Sequence, residues 1–293
     1  PREIWRFVRG VSRGLRMGHL FPAHAASRQP GAPGGSHAEP AEPGRAFGGG
    51  TPAVWRSHHR LPVDRLVRAV DILHLSDVHL RTPDRSLARL AALLSGETAD
   101  LVVITGDLVT RGWSESSVRT FLDALPAAPL GRFAILGNWE HWSGVRIGPW
   151  RRLLAAHDVQ LLVDEAAECG PITVVGTDDV VAGSPDLRRI GSLLAAASSP
   201  TVVLSHSPAL FPALAAAGAR RVLAGHSHGG QVHLPLLGPL WVPRGTDGYV
   251  AGWYHEAGAD LFVHRGLGWS IAPLRLHCPP ELACLHLLPG ASP

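Results

Sequence analysis

Residues 70–80 read VDILHLSDVHL: a short run of large aliphatic residues that ends in a serine, an aspartate and, two positions on, a histidine. A brief apolar run bounded by polar residues fits a strand buried on both faces, as in parallel sheets. The pattern recurs in LVVIT (101–105), RFAIL (132–136), ITVVG (172–176), TVVLS (201–205) and RRVLAG (220–225). Between several of these lie segments of helical periodicity: DRSLARLAALL with Asp84 as its N-cap, SESSVRTFLDAL with Ser114 in that role, and PDLRRIGSLLAAA from Pro185. Alternation of strand and helix predicts an α/β layered domain. After Gly225 the helical signal fades, and QVHLPL, LFVHR and ELACLHLL read as strands of a second, more antiparallel sheet.

The apolar runs end in Ser76-Asp77-Val78-His79, Gly106-Asp107, Gly137-Asn138, Ser205-His206 and Gly225-His226-Ser227-His228. Open α/β sheets bind ligands at the carboxyl ends of their strands. A single Gly-Asp there is ordinarily a turn, and a single histidine ordinarily a satisfied core or surface residue. The full ordered series is instead the signature of a metal site. Imidazole and carboxylate without thiolate suit Mn, Fe, Zn or Ni. On an extended backbone Asp77 and His79 face one side and can share a cation, while Asp107 suits a carboxylate bridging two.

With 293 residues and 45% hydrophobic content the chain can bury a full core. The chain has 33 glycines and 25 prolines, and much of that excess falls between Pro22 and Pro52, in QPGAPGGSHAEPAEPGRAFGGG, too poor in large apolar residues to repay ordering. Ahead of that stretch, Ile4, Phe7, Val8, Val11 and Leu15 fall at helical spacing, with Arg2, Arg6, Arg9, Arg13 and Arg16 between them. Such a basic amphipathic pattern suits an anionic membrane surface. The predicted organisation is a basic amphipathic segment and disordered linker over 1–60, then one catalytic domain over 61–293.

All 27 basic residues are arginine, and the formal charge is only +3. Pairs such as Arg151-Arg152 and Arg220-Arg221 are scattered rather than massed, which argues against a nucleic-acid partner. Cys169, Cys278 and Cys284 form no CxxC spacing and leave one unpaired, so neither a disulfide framework nor a thiolate zinc site is expected. A reducing compartment follows: cytoplasmic, or peripheral at the inner membrane surface. No apolar run reaches the roughly 18 residues of a membrane span.

From about Ile72 to Leu288 the motif series resembles the calcineurin-like metallophosphoesterase superfamily. GHSHGGQVHLPLLGP (225–239), GYVAG (248–252) and RGLGWSIAPLRLHCPPEL (265–282) further resemble bacterial membrane-associated phosphodiesterases related to UDP-diacylglucosamine pyrophosphohydrolases. The resemblance implies two stacked mixed β-sheets flanked by helices, a four-layer sandwich with its site at one edge. It implies Asp77, His79 and His228 on one divalent metal ion, Asn138, His206 and His226 on another, and Asp107 bridging the two. Mn, Fe or Zn would serve. The implied activity is cleavage of a phosphodiester or pyrophosphate through a metal-bridging hydroxide.

Where that family usually has GNHD, with the histidine protonating the leaving oxygen, this chain has Gly137-Asn138-Trp139-Glu140. Indole does not donate a proton as imidazolium does. His141 could reach in from two residues on if the loop is extended; the substrate could carry a leaving group good enough to need no acid; or the protein could bind a phospholipid or nucleotide phosphate without turnover. His141 and Asp107 are therefore the candidate catalytic residues, and Asn138, Trp139 and Arg81 the candidate substrate contacts, with Arg81 a bidentate donor to phosphate. Trp139, joined by Trp142, Trp150, Trp241, Trp253 and Trp269 as an apolar rim, points to an amphiphilic or lipid-linked substrate. His58, His59 and His157 read as surface residues and His74 as core. If the basic helix anchors the chain, deletion of residues 1–50 releases it from anionic vesicles in a sedimentation assay; undiminished binding discards the anchor.

Overall fold

The structure, a computed structural model, describes residues 54–82, 86–234, 238–270 and 273–290. The expected amphipathic segment, most of the linker and the expected cap Asp84 lie outside these residues. In chain order the elements are β1 (Trp55–Val63), β2 (Val70–Leu75), α1 (Leu87–Leu94), β3 (Leu101–Ile104), α2 (Glu115–Asp123), β4 (Arg132–Ala134), α3 (Asn138–Trp142), α4 (Ile147–Ala155), β5 (Val159–Leu161), β6 (Glu165–Cys169) and β7 (Ile172–Gly176). There follow α5 (Leu187–Ala196), β8 (Thr201–Leu204), α6 (Phe211–Ala216), β9 (Arg221–Ala224), the short pair β10 (His233–Leu234) and β11 (Gly238–Pro239), then β12 (Gly252–Glu256), β13 (Ala259–Val263) and β14 (Glu281–Pro289).

Two six-stranded mixed sheets form, in the orders β1-β14-β2-β3-β4-β5 and β12-β13-β9-β8-β7-β6. In the first, β2 to β5 run parallel; in the second, β7, β8, β9 and β13 do, and only the edge strands β6 and β12 are antiparallel. Alternation of side chains along each strand separates the layers. Val70 and Ile72 of β2, Leu101 and Val103 of β3, Val202 and Leu204 of β8 and Phe262 of β13 fill the space between the sheets. Their neighbours Leu73, Leu75, Val102 and Ile104 instead pack outward against Leu94, Phe121, Leu122 and Leu154 of the helices. On the far side Val175, Val203, Val222 and Ala224 meet Ile190 of α5 and Leu214 of α6. The result is helix, sheet, sheet, helix, the four layers expected.

Local chemistry sets the helix ends. Ser114 Oγ accepts from Ser117 N at 3.2 Å, capping α2 as the sequence predicts. For α5 the cap is Asp186, which accepts from Arg188 N and Arg189 N, one residue beyond the expected start at Pro185. The C-terminal reading needs two corrections. Among the described residues of QVHLPL only His233–Leu234 is strand, and it pairs with Gly238–Pro239 in a separate two-stranded ribbon rather than joining the second sheet. Strand β14 does not extend the second sheet; it inserts between β1 and β2 of the first, antiparallel to β2. Strand β1 begins at Trp55, so the first sheet takes in residues 55–60, and His59 is buried on it rather than at the surface. Among the described residues no helix is long and apolar enough to cross a membrane.

Phe262 is fully buried and its ring lies 4.6 Å from that of His59 and 5.0 Å from that of Trp253, joining β13 to β1 and β12. Phe262→Ala is expected to cost about 3–5 kcal/mol in urea unfolding; a loss below about 1 kcal/mol would mean that this layer repacks freely.

Candidate metal centre

The parallel strands of both sheets end at the same edge, and their loops interlock there. Asp77 N donates to Gly106 O at 3.1 Å and His79 N to Asp107 O at 3.0 Å, joining the loops after β2 and β3. The Asp77 carboxylate crosses to the other sheet, accepting from His226 N at 2.9 Å while Ser76 Oγ donates to it at 2.7 Å. Two glycines make the approach possible. A Cβ on Gly225 would overlap Ser76 Oγ and Asp77 Oδ2; one on Gly106 would stand 2.7 Å from Gly137 Cα and 2.8 Å from His206 Nδ1.

All seven predicted ligand residues are buried and converge at this edge. Asp77, His79 and His228 form one group and Asp107, His206 and His226 a second, with the ligand atoms of each within 4.8 Å of one another. Asn138 joins the second group: its Oδ1 is 3.0 Å from His206 Nε2 and 2.8 Å from His226 Nδ1. Asp107 Oδ2 lies between the groups, 3.3 Å from His206 Nε2 and 3.6 Å from His79 Nε2.

Hydrogen bonding on the far side of each ring fixes which nitrogen is free. His206 Nδ1 donates to Thr105 O at 2.7 Å and His226 Nε2 to Arg244 O at 2.6 Å. In the neutral tautomers so defined, His206 Nε2 and His226 Nδ1 carry lone pairs, and both aim at the oxygen of Asn138. These two nitrogens and the amide oxygen face one point, where a divalent cation would take the place of a proton on His206 Nε2. In the first group His228 Nε2 lies 2.9 Å from His79 Nε2 and 3.3 Å from Asp77 Oδ1. Behind His228, the partly buried Arg275 guanidinium approaches its Nδ1 at 3.3 Å and also holds Gly266 O, Gly268 O and His228 O.

The protein's own charges leave the centre short of positive charge. Burial, opposed by His206 and reinforced by Asp107, pushes the Asp77 carboxyl up to about 6. Burial also opposes ionisation of Asp107, yet the charge and hydrogen bond of His206 hold its carboxyl below the usual range. For His206 burial again acts against charge, and Asp107 outweighs it, raising the imidazole well above its ordinary value. Burial lowers His79 to about 4 and draws His226 and His228 down as well. Five of the seven, Asp77, His79, Asp107, His226 and His228, also sit at φ between 52° and 69°, the left-handed region that costs a side-chain-bearing residue about 1–2 kcal/mol.

The remaining predicted residues fall differently. The stretch 138–142 is helical, not extended, so Trp139 and His141 point about 160° apart. Trp139 presents its ring to that of His79, centroids 5.9 Å apart, and its backbone N–H donates to Asp107 Oδ1 at 2.8 Å. His141 instead bonds Asp178 Oδ1 through Nε2 at 2.9 Å. Glu140 is buried and accepts from the backbone N–H groups of Asp107, Gly137 and Val109, so it ties two ligand loops together rather than orienting a histidine. Burial and the nearby Asp107 push its carboxyl up to about 8.

Arg81 lies over the Trp269 ring at 3.3 Å and donates to Trp269 O and His79 O. Trp150 and Trp253 are core residues and drop out of the expected rim, whereas Trp142 and Trp241 are exposed. Asp178, Asp179 and Arg275 escaped the sequence reading. For the two aspartates the signal was present: Gly176-Thr177-Asp178-Asp179 ends β7 just as the ligand motifs end their strands.

Comparison with known proteins establishes the family. The chain is 30% identical to an uncharacterized metallophosphoesterase of Helicobacter pylori over 78% of its own length, and spans 62% of that protein. It is 29% identical to the phosphodiesterase YaeI of Escherichia coli, covering 74% of this chain and 82% of that one. With the UDP-2,3-diacylglucosamine pyrophosphatase LpxG of Chlamydia muridarum it shares 28% identity over 74% of this chain and 83% of the other. Since the profile of the calcineurin-like phosphoesterases matches residues 70–230, more than half of the chain and the whole span from β2 to the last histidine ligand position, the chain belongs to that family of metal-dependent phosphoesterases.

Proposed function

We propose that the chain hydrolyses a phosphodiester or pyrophosphate, with Asp77, His79 and His228 holding one divalent cation, Asn138, His206 and His226 a second, and Asp107 shared between them. The observation that carries this reading is the convergence of Asn138 Oδ1, His206 Nε2 and His226 Nδ1 on one point, with Asp107 Oδ2 between His206 and His79 of the neighbouring group. Bound there, Mn, Fe or Zn ions would supply the positive charge that polarises a phosphoryl group and acidifies water. Asn138 contributes a neutral oxygen, so the second position keeps more Lewis acidity than a further carboxylate would leave it. Thr105 O and Arg244 O hold two of the imidazoles in the tautomer that binding requires.

The substrate we infer is amphiphilic. Leu240, Trp241, Leu274 and Leu276 are exposed beside the His228 loop: Val232 bridges to Leu276, and Leu240 N donates to Val232 O. An apolar surface next to a phosphate site suits an acyl or polyprenyl tail, and the chlamydial relative is a UDP-2,3-diacylglucosamine pyrophosphatase, named for a diacylated sugar nucleotide. Arg81, with the Trp269 ring beneath it, is the inferred contact for a phosphate oxygen. With a net charge of only +3 we propose no nucleic-acid substrate, and a working location in the cytoplasm or at the inner membrane surface.

Asp107→Asn removes the shared charge. In Mn-reloaded protein it is expected to lower hydrolysis of bis-p-nitrophenyl phosphate by several kcal/mol of barrier, at least about 10²-fold, and to lower bound metal per chain measured by mass spectrometry. A variant with full turnover would sink the metal assignment.

A further inference from the structure

We propose that Asp178 is the positioning residue of a pair with His141, and that His141 delivers a proton to the leaving oxygen when that oxygen belongs to an alcohol. The inference rests on the hydrolase reading above and names the class of leaving group it serves.

The placement follows from the short helix α3. Each residue advances about 100°, so His141, three residues after Asn138, returns to within about 60° of it and stands one turn further on. Asn138 points at His206 and His226. Trp139, about 100° away, turns instead to His79 in the other group. The partner of His141 comes from the same quarter. Asp178 lies in the loop after β7, and its neighbour Asp179 accepts from Ser207 Oγ at 2.6 Å, the residue directly after His206. The imidazole is thus tied to the second donor group from two sides, along its own helix and through the Asp178–Asp179 loop.

The pair is built more firmly than a surface ion pair, which is worth little. Its side chains are only 23% and 13% exposed. Besides His141, the Asp178 carboxylate accepts from Asp179 N at 2.8 Å and Ser184 N at 2.9 Å, which fixes its orientation. A carboxylate accepts from Nε2–H, leaving Nδ1 as the atom that gains and gives up a proton, and its charge balances the imidazolium. In the reaction a water oxygen bonds to phosphorus and the bond from phosphorus to the leaving oxygen breaks. The electron pair left on that oxygen takes the proton of His141 Nδ1. The proton shed by water goes to solvent, from which His141 is recharged.

An alkoxide leaves poorly without a proton, whereas nitrophenolate or a nucleoside phosphate leaves readily. General acid catalysis contributes about 10²–10⁴-fold where it is needed. The discriminating experiment uses the full chain reloaded with Mn, with metal content checked for every variant. Two diesters are compared: bis-p-nitrophenyl phosphate, followed by absorbance, and a glycerophosphodiester, followed by phosphorus NMR. His141→Ala is expected to lose about 10²–10⁴-fold on the glycerol diester and at least about tenfold less than that on the nitrophenyl diester. Asp178→Asn should lose rate in the same leaving-group-dependent sense but less steeply, with Asp178→Glu recovering part. Long-range proton–nitrogen NMR gives a readout independent of turnover: the His141 proton resides on Nε2 in wild type and spreads over both nitrogens in Asp178→Asn. Equal losses on both diesters, or an unchanged tautomer, overturn the pair while leaving the hydrolase reading intact. A wild type inert on both overturns that reading and the acid role with it.

Discussion

The centre depends on one approach, that of the loop after β9 to the loop after β2. Four of the seven donor residues come from the first sheet and three from the second, so the two layers have to meet at their edge within hydrogen-bond distance. Asp77 makes the junction, receiving Ser76 Oγ from its own side and the His226 amide from the other. Gly225 sets the distance, since a methyl group there would collide with the serine hydroxyl and the carboxylate. Sandwiched sheets ordinarily keep about 10 Å between them. Here the loops, not the strands, close that gap.

Closing it has a cost that falls on the ligands themselves. Five of them take left-handed backbone conformations, and two carboxylates are buried near each other. Such arrangements persist only where the surroundings over-determine them. The surroundings are two runs of four parallel strands whose apolar residues are almost wholly buried on both faces. Glu140 adds a local brace by gathering the amides of Asp107, Val109 and Gly137 on one buried carboxylate. The same brace makes α3 start at Asn138, because Gly137 has no side chain with which to cap it.

This explains what the sequence revealed and what it hid. Buried parallel strands write themselves as continuous apolar runs, and a polar residue directly after such a run sits at the strand end; the convergence of the seven candidate residues was legible for that reason. Strand β1 was not. WRSHHRLPV buries only alternate residues and pairs with Glu281–Pro289, more than two hundred positions away, so neither its pattern nor its neighbours announce a central role. His59 looked like a surface histidine because the Trp253 indole and the Phe262 ring that enclose it come from β12 and β13. The shape of 138–142 was hidden because a five-residue helix carries too few positions to show a period, and its capping acceptor lies inside the helix rather than ahead of it.

That short helix decides how the missing histidine should be understood. In an extended loop positions 139 and 141 would be interchangeable, and an imidazole at either would address the same point. In a helix they are not. Trp139 faces the first donor group edge-on and supplies a wall; Glu140 turns into the protein and binds backbone; His141 comes back to the side of Asn138 and meets Asp178. One turn of helix therefore sends three neighbouring side chains to three places: the His79 ring, the backbone of the loop after β3, and Asp178. Positions 139 and 141 address different sides of the centre, so on this fold an imidazole at one is not equivalent to an imidazole at the other.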